Sequence, residues 1–137
     1  MSYKVQKLNY YYMITQDKPG EAHNILSMLA DLGVNQLAFN ISHIGPERSQ
    51  ITLFPEDEAK LVSVAEKAGM NLDGPYHAIM VQGSNELGAL VEVHEKLQNA
   101  NINIASSTGI ADGQGSYGYI IYLRPDDYDK AAEVLSI

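Results

Sequence analysis

The sequence predicts an α+β fold of two βαββαβ modules in tandem, each an antiparallel sheet with its helices on one face. Three observations carry that prediction. The chain repeats itself: a shift of 68 places lays "PGEAHNILSMLADLGVNQ" (19–36) over "LGALVEVHEKLQNANINI" (87–104), pairing Gly20 with Gly88, Leu29 with Leu97 and Asn35 with Asn103. A shift of 70 lays "ITLFPEDEAKLVSVA" (51–65) over "IYLRPDDYDKAAEVL" (121–135), pairing Ile51 with Ile121, Pro55 with Pro125 and Lys60 with Lys130. Strand-like and helix-like stretches follow one another in the same order in both copies. Finally, 137 residues of which 45% are hydrophobic are enough for one ordinary domain or two very small ones with a core.

Each element has a local reason. Leu8 to Thr15 is rich in aromatic and branched residues and reads as a strand. The stretch "DKPGEA" (17–22) then opens a helix: short polar residues stop the strand, and proline fits a first helical turn, where its missing N–H is no loss. Ala22, Ile25, Leu29 and Leu32 recur at helical spacing up to Gly33, a C-cap signal. Residues 35–44 and 49–54 form two strand-like runs around the polar turn "GPERS", and Pro55-Glu56-Asp57-Glu58 opens a second helix that Gly69 ends. "MNLDG" (70–74) reads as a short fourth strand.

The second half repeats the scheme with a strand at 76–83, a helix at 88–100, strands at 102–111 and 117–124, and a helix from 126. The slip of two between the shifts falls in a hairpin, where loop length is free to vary. The order βαββαβ is the ferredoxin-like motif, with modules expected at 1–74 and 75–137. The sequence reaches Ile137 directly after the last helix, so the second module lacks its own fourth strand. "SYKVQK" (2–7), apolar at Tyr3 and Val5, is expected to supply it unless a partner chain does.

Composition excludes several functions. The formal charge is −8, from 17 acidic against 9 basic residues, and no basic cluster occurs, which argues against nucleic acid. The absence of cysteine excludes a disulfide scaffold, thiol chemistry and the strongest zinc signatures. No apolar run has membrane-spanning length, and "MSYKVQK" lacks the apolar core of a secretory signal, so a cytoplasmic protein without membrane contact is expected. Tyr10, Tyr11 and Tyr12 cannot all line one pocket, because consecutive strand residues face opposite sides; sheet packing is their expected role. "SSTGIADGQGSYGY" (106–119) lacks the Lys-Ser or Lys-Thr of a phosphate loop and is expected to be a long flexible turn.

The segments "DKPGEAHNILSMLADLGVN" and "NELGALVEVHEKLQNANIN" resemble the first loop, first helix and second-strand start of ACT domains, the small ferredoxin-like modules that bind amino acids and regulate metabolic enzymes. Where the first copy has Pro19-Gly20, the second has Leu87-Gly88. The resemblance implies a tandem ACT protein holding a small amino acid or related carboxylate at an interface between modules. The ligand would meet the loop before the first helix and a polar residue at the second-strand start of a neighbour. Carried onto this sequence, those are Asp17, Lys18, Pro19, Gly20 and Asn35 in the first half, and Ser84, Asn85, Glu86, Leu87, Gly88 and Asn103 in the second. Asn85 with Asn103 resembles the asparagine pair of serine-sensing members.

The chemistry is coherent apart from the resemblance. Exposed N–H groups at a helix start accept a carboxylate, glycine allows close approach, and an Asn or Asp oxygen accepts from an ammonium. The competing roles are helix caps for Asp17 and Asn85 and turn residues for Asn35 and Asn103.

Two rival classes complete the reading. Vicinal-oxygen-chelate metalloenzymes also duplicate a small module, but as βαβββ. The histidines here are scattered, with His43 and His77 near strands and His23 and His94 in helices, and no H-E-x-x-H or nucleophile motif appears. No catalysis, metal or cofactor is therefore expected. A ligand-independent interaction module, pairing through open sheet edges with itself or a metabolic enzyme, is the other alternative. A homodimer with four ACT units is expected.

Overall fold

Alternation of inward and outward side chains on six strands decides the architecture, seen here in a computed structural model. The structure describes residues 3–137; Ser2, the first residue of the segment expected to close the second sheet, lies outside the described residues. In chain order the elements are β1 (Tyr3–Gln16), α1 (Glu21–Asp31), β2 (Gln36–Gly45), β3 (Arg48–Pro55), α2 (Glu58–Ala68), β4 (Asp73–Ser84), α3 (Val91–Asn99), β5 (Ser106–Ala111), β6 (Ser116–Tyr122) and α4 (Pro125–Val134). The chain divides into two compact units, Asn9–Tyr76 on one hand, and the residues up to Leu8 together with His77–Ile137 on the other.

In the unit Asn9–Tyr76 the strands lie in the order β2-β3-β1-β4. β3 pairs antiparallel with β1, Leu53 opposite Tyr11, and with β2, Ser49 opposite His43. Tyr11, Ile51 and Leu53 point to one face, where α1 and α2 bury Ile25, Leu29 and Leu61 on them. Asp57 accepts a hydrogen bond from the Lys60 backbone N–H to start α2, and Gly69, left-handed, ends it. The tyrosine run alternates as strand geometry demands. Tyr11 enters this core, while Tyr10 and Tyr12 stack on the other face with Phe54 and Tyr76, at centroid distances of 5.1 Å for Tyr10–Phe54 and 5.2 Å for Tyr12–Tyr76.

In the other unit the order is β1-β4-β6-β5, with residues 3–8 of β1 in the place of a fourth strand. Ile79, Val81 and Ile121 form the sheet side of a core closed by Val93 and Leu97 of α3 and Ala131 of α4. Tyr3 and Val5 pack against it, and Lys96 Nζ donates to the Tyr3 hydroxyl at 3.0 Å. Here too both helices cover one face.

Several bounds differ from expectation. β1 begins at Tyr3, not Leu8, and β4 joins the strands expected at 70–74 and 76–83, so Pro75 lies inside a strand rather than between two. The units accordingly meet in sequence at Tyr76/His77 instead of 74/75, and the first residues go with the second unit. β5 starts at Ser106 rather than 102, because Asn101 takes φ 58° and Ile102 turns into the core. The stretch 106–119 is not a flexible turn but most of a hairpin. Asp112 Oδ1 closes its bend by accepting from the N–H of Gln114 at 2.7 Å and of Ser116 at 3.1 Å, which holds that carboxyl below the usual range.

Two consequences are measurable. Deleting residues 3–7 removes the Tyr3 and Val5 contacts, about 2 kcal/mol of apolar burial, and should lower Tm by roughly 5–10 °C. An unchanged melting curve would show that these residues do not support the second unit. Tyr11 donates a short hydrogen bond to Glu58, which also accepts from Asn9 Nδ2 at 2.8 Å; burial first, then that bond and the Glu58 charge, push the phenol up to about 12. A phenol raised on folding lends stability that is complete below pH 10 and lost as pH climbs toward 12. Tyr11→Phe should cost about 2 kcal/mol at neutral pH and flatten that alkaline decline, measured by urea unfolding from pH 8 to 12.

Candidate functional site

The loop before the first helix of each unit is built on the same plan, and the two have been filled differently. In both, a strand ends, a glycine takes positive φ and a helix begins: Gly20 at φ 91° before α1 and Gly88 at φ 75° ahead of α3. Glycine adopts such angles at the least cost, and neither helix start has a side-chain cap; the Glu21 N–H reaches the Lys18 carbonyl at 3.4 Å and the Val91 N–H donates to the Gly88 carbonyl at 3.0 Å.

In the first loop the polar groups satisfy one another. Asp17 is no helix cap. Its Oδ2 lies 2.7 Å from His43 Nδ1 and its Oδ1 accepts from Ser49 Oγ at 3.2 Å, while its backbone N–H donates to Glu47 at 2.9 Å. Lys18 pairs with Glu21 at 3.5 Å, and Thr15 donates to the same carboxylate at 3.0 Å. Pro19 and Gly20 are exposed. A concavity lined by Asp17, Lys18, Glu47 and Arg48 remains beside them.

In the second loop the corresponding positions are open. Asn85 replaces Asp17 and Glu86 replaces Lys18, and the cross-strand pair His43/Ser49 gives way to Gly109/Tyr119. With no side chain at Gly109 the Tyr119 ring lies over it; a Cβ built there would come within 3.0 Å of Tyr119 Cδ1. Tyr119 in turn is hydrogen-bonded to His94 Nε2 at 2.8 Å. The result is a cleft of about 470 Å³ between the α3 start and strands β5 and β6, bounded by Asn85, Glu86, Gly88, Val91, Ala111 and Tyr117. Asn85 N–H donates to Gly115 at 2.8 Å, fixing the loop on the β5–β6 bend, and Glu86 N–H donates to Ser84. Leu87 is wholly exposed at the tip.

Asn35 and Asn103 do not join these loops within a unit. Asn35 Nδ2 donates to Glu56 at 2.8 Å and its carbonyl accepts from the Glu56 N–H at 2.9 Å, at the end of β2 opposite the His43–Asp17 pair. The seven residue steps from Gln36 to His43 separate the two ends by about 23 Å. Asn103 lies beyond the C-terminal end of α3, where it shares a concavity with Asn101 and with Gln98 of the last helical turn, at the opposite end of the helix from Asn85.

Several residues around the loops escaped sequence reasoning, Gly109 and Tyr119 among them. His43 and Ser49 were not foreseen as partners of Asp17, since their meeting depends on the β2–β3 register. Tyr117 was not foreseen as a cleft residue. It is 9% exposed, its hydroxyl has no hydrogen-bond partner, and burial, followed by the charges of Tyr3 and Glu86, raises its pKa. Among the described residues no three His, Cys, Asp or Glu side chains gather as a metal site, and no helix is long and apolar enough to cross a membrane.

Comparison with known proteins adds the fold. No protein family matches the sequence, and no curated protein matches it. Among solved structures the chain is similar to a protein from Bacteroides thetaiotaomicron, with 19% identity over 96% of this chain and 88% of that one, at a TM-score of 0.78. It is also similar to the regulatory subunit of aspartate kinase from Thermus thermophilus, with 12% identity over 99% and 96% and a TM-score of 0.62. A structure of aspartokinase alpha and beta subunits shares 16% identity over 98% and 95%, with a TM-score of 0.59. The chain thus has an α+β, ACT-like fold with antiparallel strand pairing.

Proposed function

We propose that the protein is a tandem ACT-domain regulator that senses a small amino acid, and that the occupied site is the loop of the second unit, Ser84 to Gly88. The observation that carries this reading is the difference in lining: Asp17, beside the first-loop concavity, already holds His43 and Ser49, whereas the cleft at Asn85 is walled by apolar and aromatic groups. Asp17, Lys18, Pro19, Gly20 and Asn35 are accordingly assigned to structure. The similarity to a regulatory subunit of aspartate kinase supports the regulatory part of the reading.

A homodimer completes the site. All six residues of β5 are exposed, Ile110 at 75%, and β2 exposes Leu37, Ile41 and Ile44. Open edges with branched apolar residues recruit another strand. Antiparallel pairing of β5 with β5 of a second copy would set the start of one strand beside the end of the other. The partner's Asn103 then approaches the loop from which this chain's own Asn103 is remote. Ligand held between copies favours the dimer by its differential affinity, which is how occupancy becomes a signal to a metabolic enzyme.

A thermal-shift screen against the twenty amino acids and common 2-oxo acids tests the assignment. A ligand present at 100 times its Kd should add about 2.7 kcal/mol and raise Tm by several degrees. Asn103→Ala should abolish that rise and Asn35→Ala should leave it. Sedimentation should give a dimer at micromolar protein. A monomer, or no shift with any compound, would leave the exposed edges as the surface of a ligand-independent interaction module.

A further inference from the structure

Pairing of β5 edges leaves one exposed side chain of the second unit without a role. In β6, Tyr117, Tyr119 and Ile121 turn to the core beneath the helices, so Gly118 and Ile120 belong to the face of the sheet that no helix covers. The ladder places Gln82 on one side of Gly118 and Ile110 on the other. Ile110 therefore projects from the open face, 75% exposed, and β5 meeting another β5 edge to edge would leave it in water. Beside this projection lies a gap. A Cβ built on Gly118 meets no atom within 4 Å, and Gly118 is not among the glycines at positive φ. Neither crowding nor backbone conformation keeps a side chain away from this position. Glycine weakens a strand interior, and it marks places where another group comes close. Met80, Gln82, Thr108, Ile120 and Tyr122, which share the face, carry no charge. In a chain with a formal charge of −8, two copies repel least where neither brings a carboxylate.

We propose that the open sheet face of the second unit is a self-association surface, on which a second copy of this chain packs face to face with Ile110 of each copy seated over Gly118 of the other. A two-fold axis between the two positions fills both gaps with both projections at once. This reciprocity is what singles out a second copy, since any other protein would have to supply a matching projection and a matching gap side by side. Packed sheets lie about 10 Å apart with their side chains interdigitated, and an isoleucine opposite a missing side chain meets that requirement. Four strands about 4.8 Å apart and six residues long give each copy a face of roughly 380 Å², so the contact belongs with small, reversible associations. It uses the face of the sheet and leaves the β5 edge free, and it depends neither on a ligand nor on the amino-acid reading.

Sedimentation velocity of the full chain without any ligand, over a concentration series reaching high micromolar, tests the assignment. The wild-type mass should rise with concentration to twice that of the species present at the dilute end. Ile110→Gly removes the projection and Gly118→Ile fills the gap, and each alone should weaken this step at least tenfold. Gly118→Ile should do so with an unchanged or higher Tm, because a β-branched residue replaces glycine in a strand. The double variant exchanges projection and gap, and should associate within about threefold of the wild type, a recovery that a loss of folding cannot produce. A wild-type mass that stays constant, or single variants that associate as the wild type does, would overturn the proposal. A double variant as weak as the single ones would overturn the reciprocal seating of Ile110 on Gly118, and with it the choice of a second copy as the partner.

Discussion

A sheet covered by helices on one face needs a strand in every place of its ladder, and this constraint governs the molecule. Each unit has three strands and two helices from one continuous stretch, and each needs a fourth strand. Asn9–Tyr76 takes it from the start of β4, while the other unit takes it from residues 3–8. The core of the second unit, from Ile79 to Leu135, therefore includes contacts from Tyr3 and Val5. Without them the flank of β4 would present unpaired N–H and C=O groups.

The repeat made most of this legible. Helical spacing at Ile25 and Leu29 named the buried face of α1, and Gly69 marked the end of α2. Local signals failed where tertiary pairing overrode them. Pro75 reads as a break because proline lacks an N–H donor, yet β4 passes through it. The Ser- and Gly-rich stretch after Ser106 reads as a loop because its residues have low strand propensity, yet cross-strand pairing and the Asp112 bend hold it as a hairpin. The glycines of both loops were readable. What they face was not, because register brings Ser49, His43, Gly109 and Tyr119 there from strands distant in sequence.

The two loops show how one backbone plan supports opposite outcomes. Substituting a glycine and a tyrosine for a histidine and a serine on paired strands replaces a closed set of hydrogen bonds with an apolar recess. A polar network is stable when each member has a partner, as Asp17, His43 and Ser49 do. In the second unit the buried Tyr117 hydroxyl has no hydrogen-bond partner.

The placement of residues 3–8 also orders events during synthesis. These residues leave the ribosome about seventy residues ahead of the strand they lie beside, from His77 onward. The unit Asn9–Tyr76 has all its strands available once Tyr76 is out, so it can form while the opening segment is still unpaired. Domains generally fold as units during synthesis, and non-local strand pairing is slow. The earlier-made strand thus has to wait for the later-made core. A change that slows the pairing of residues 3–8 would burden the later unit and spare the earlier one.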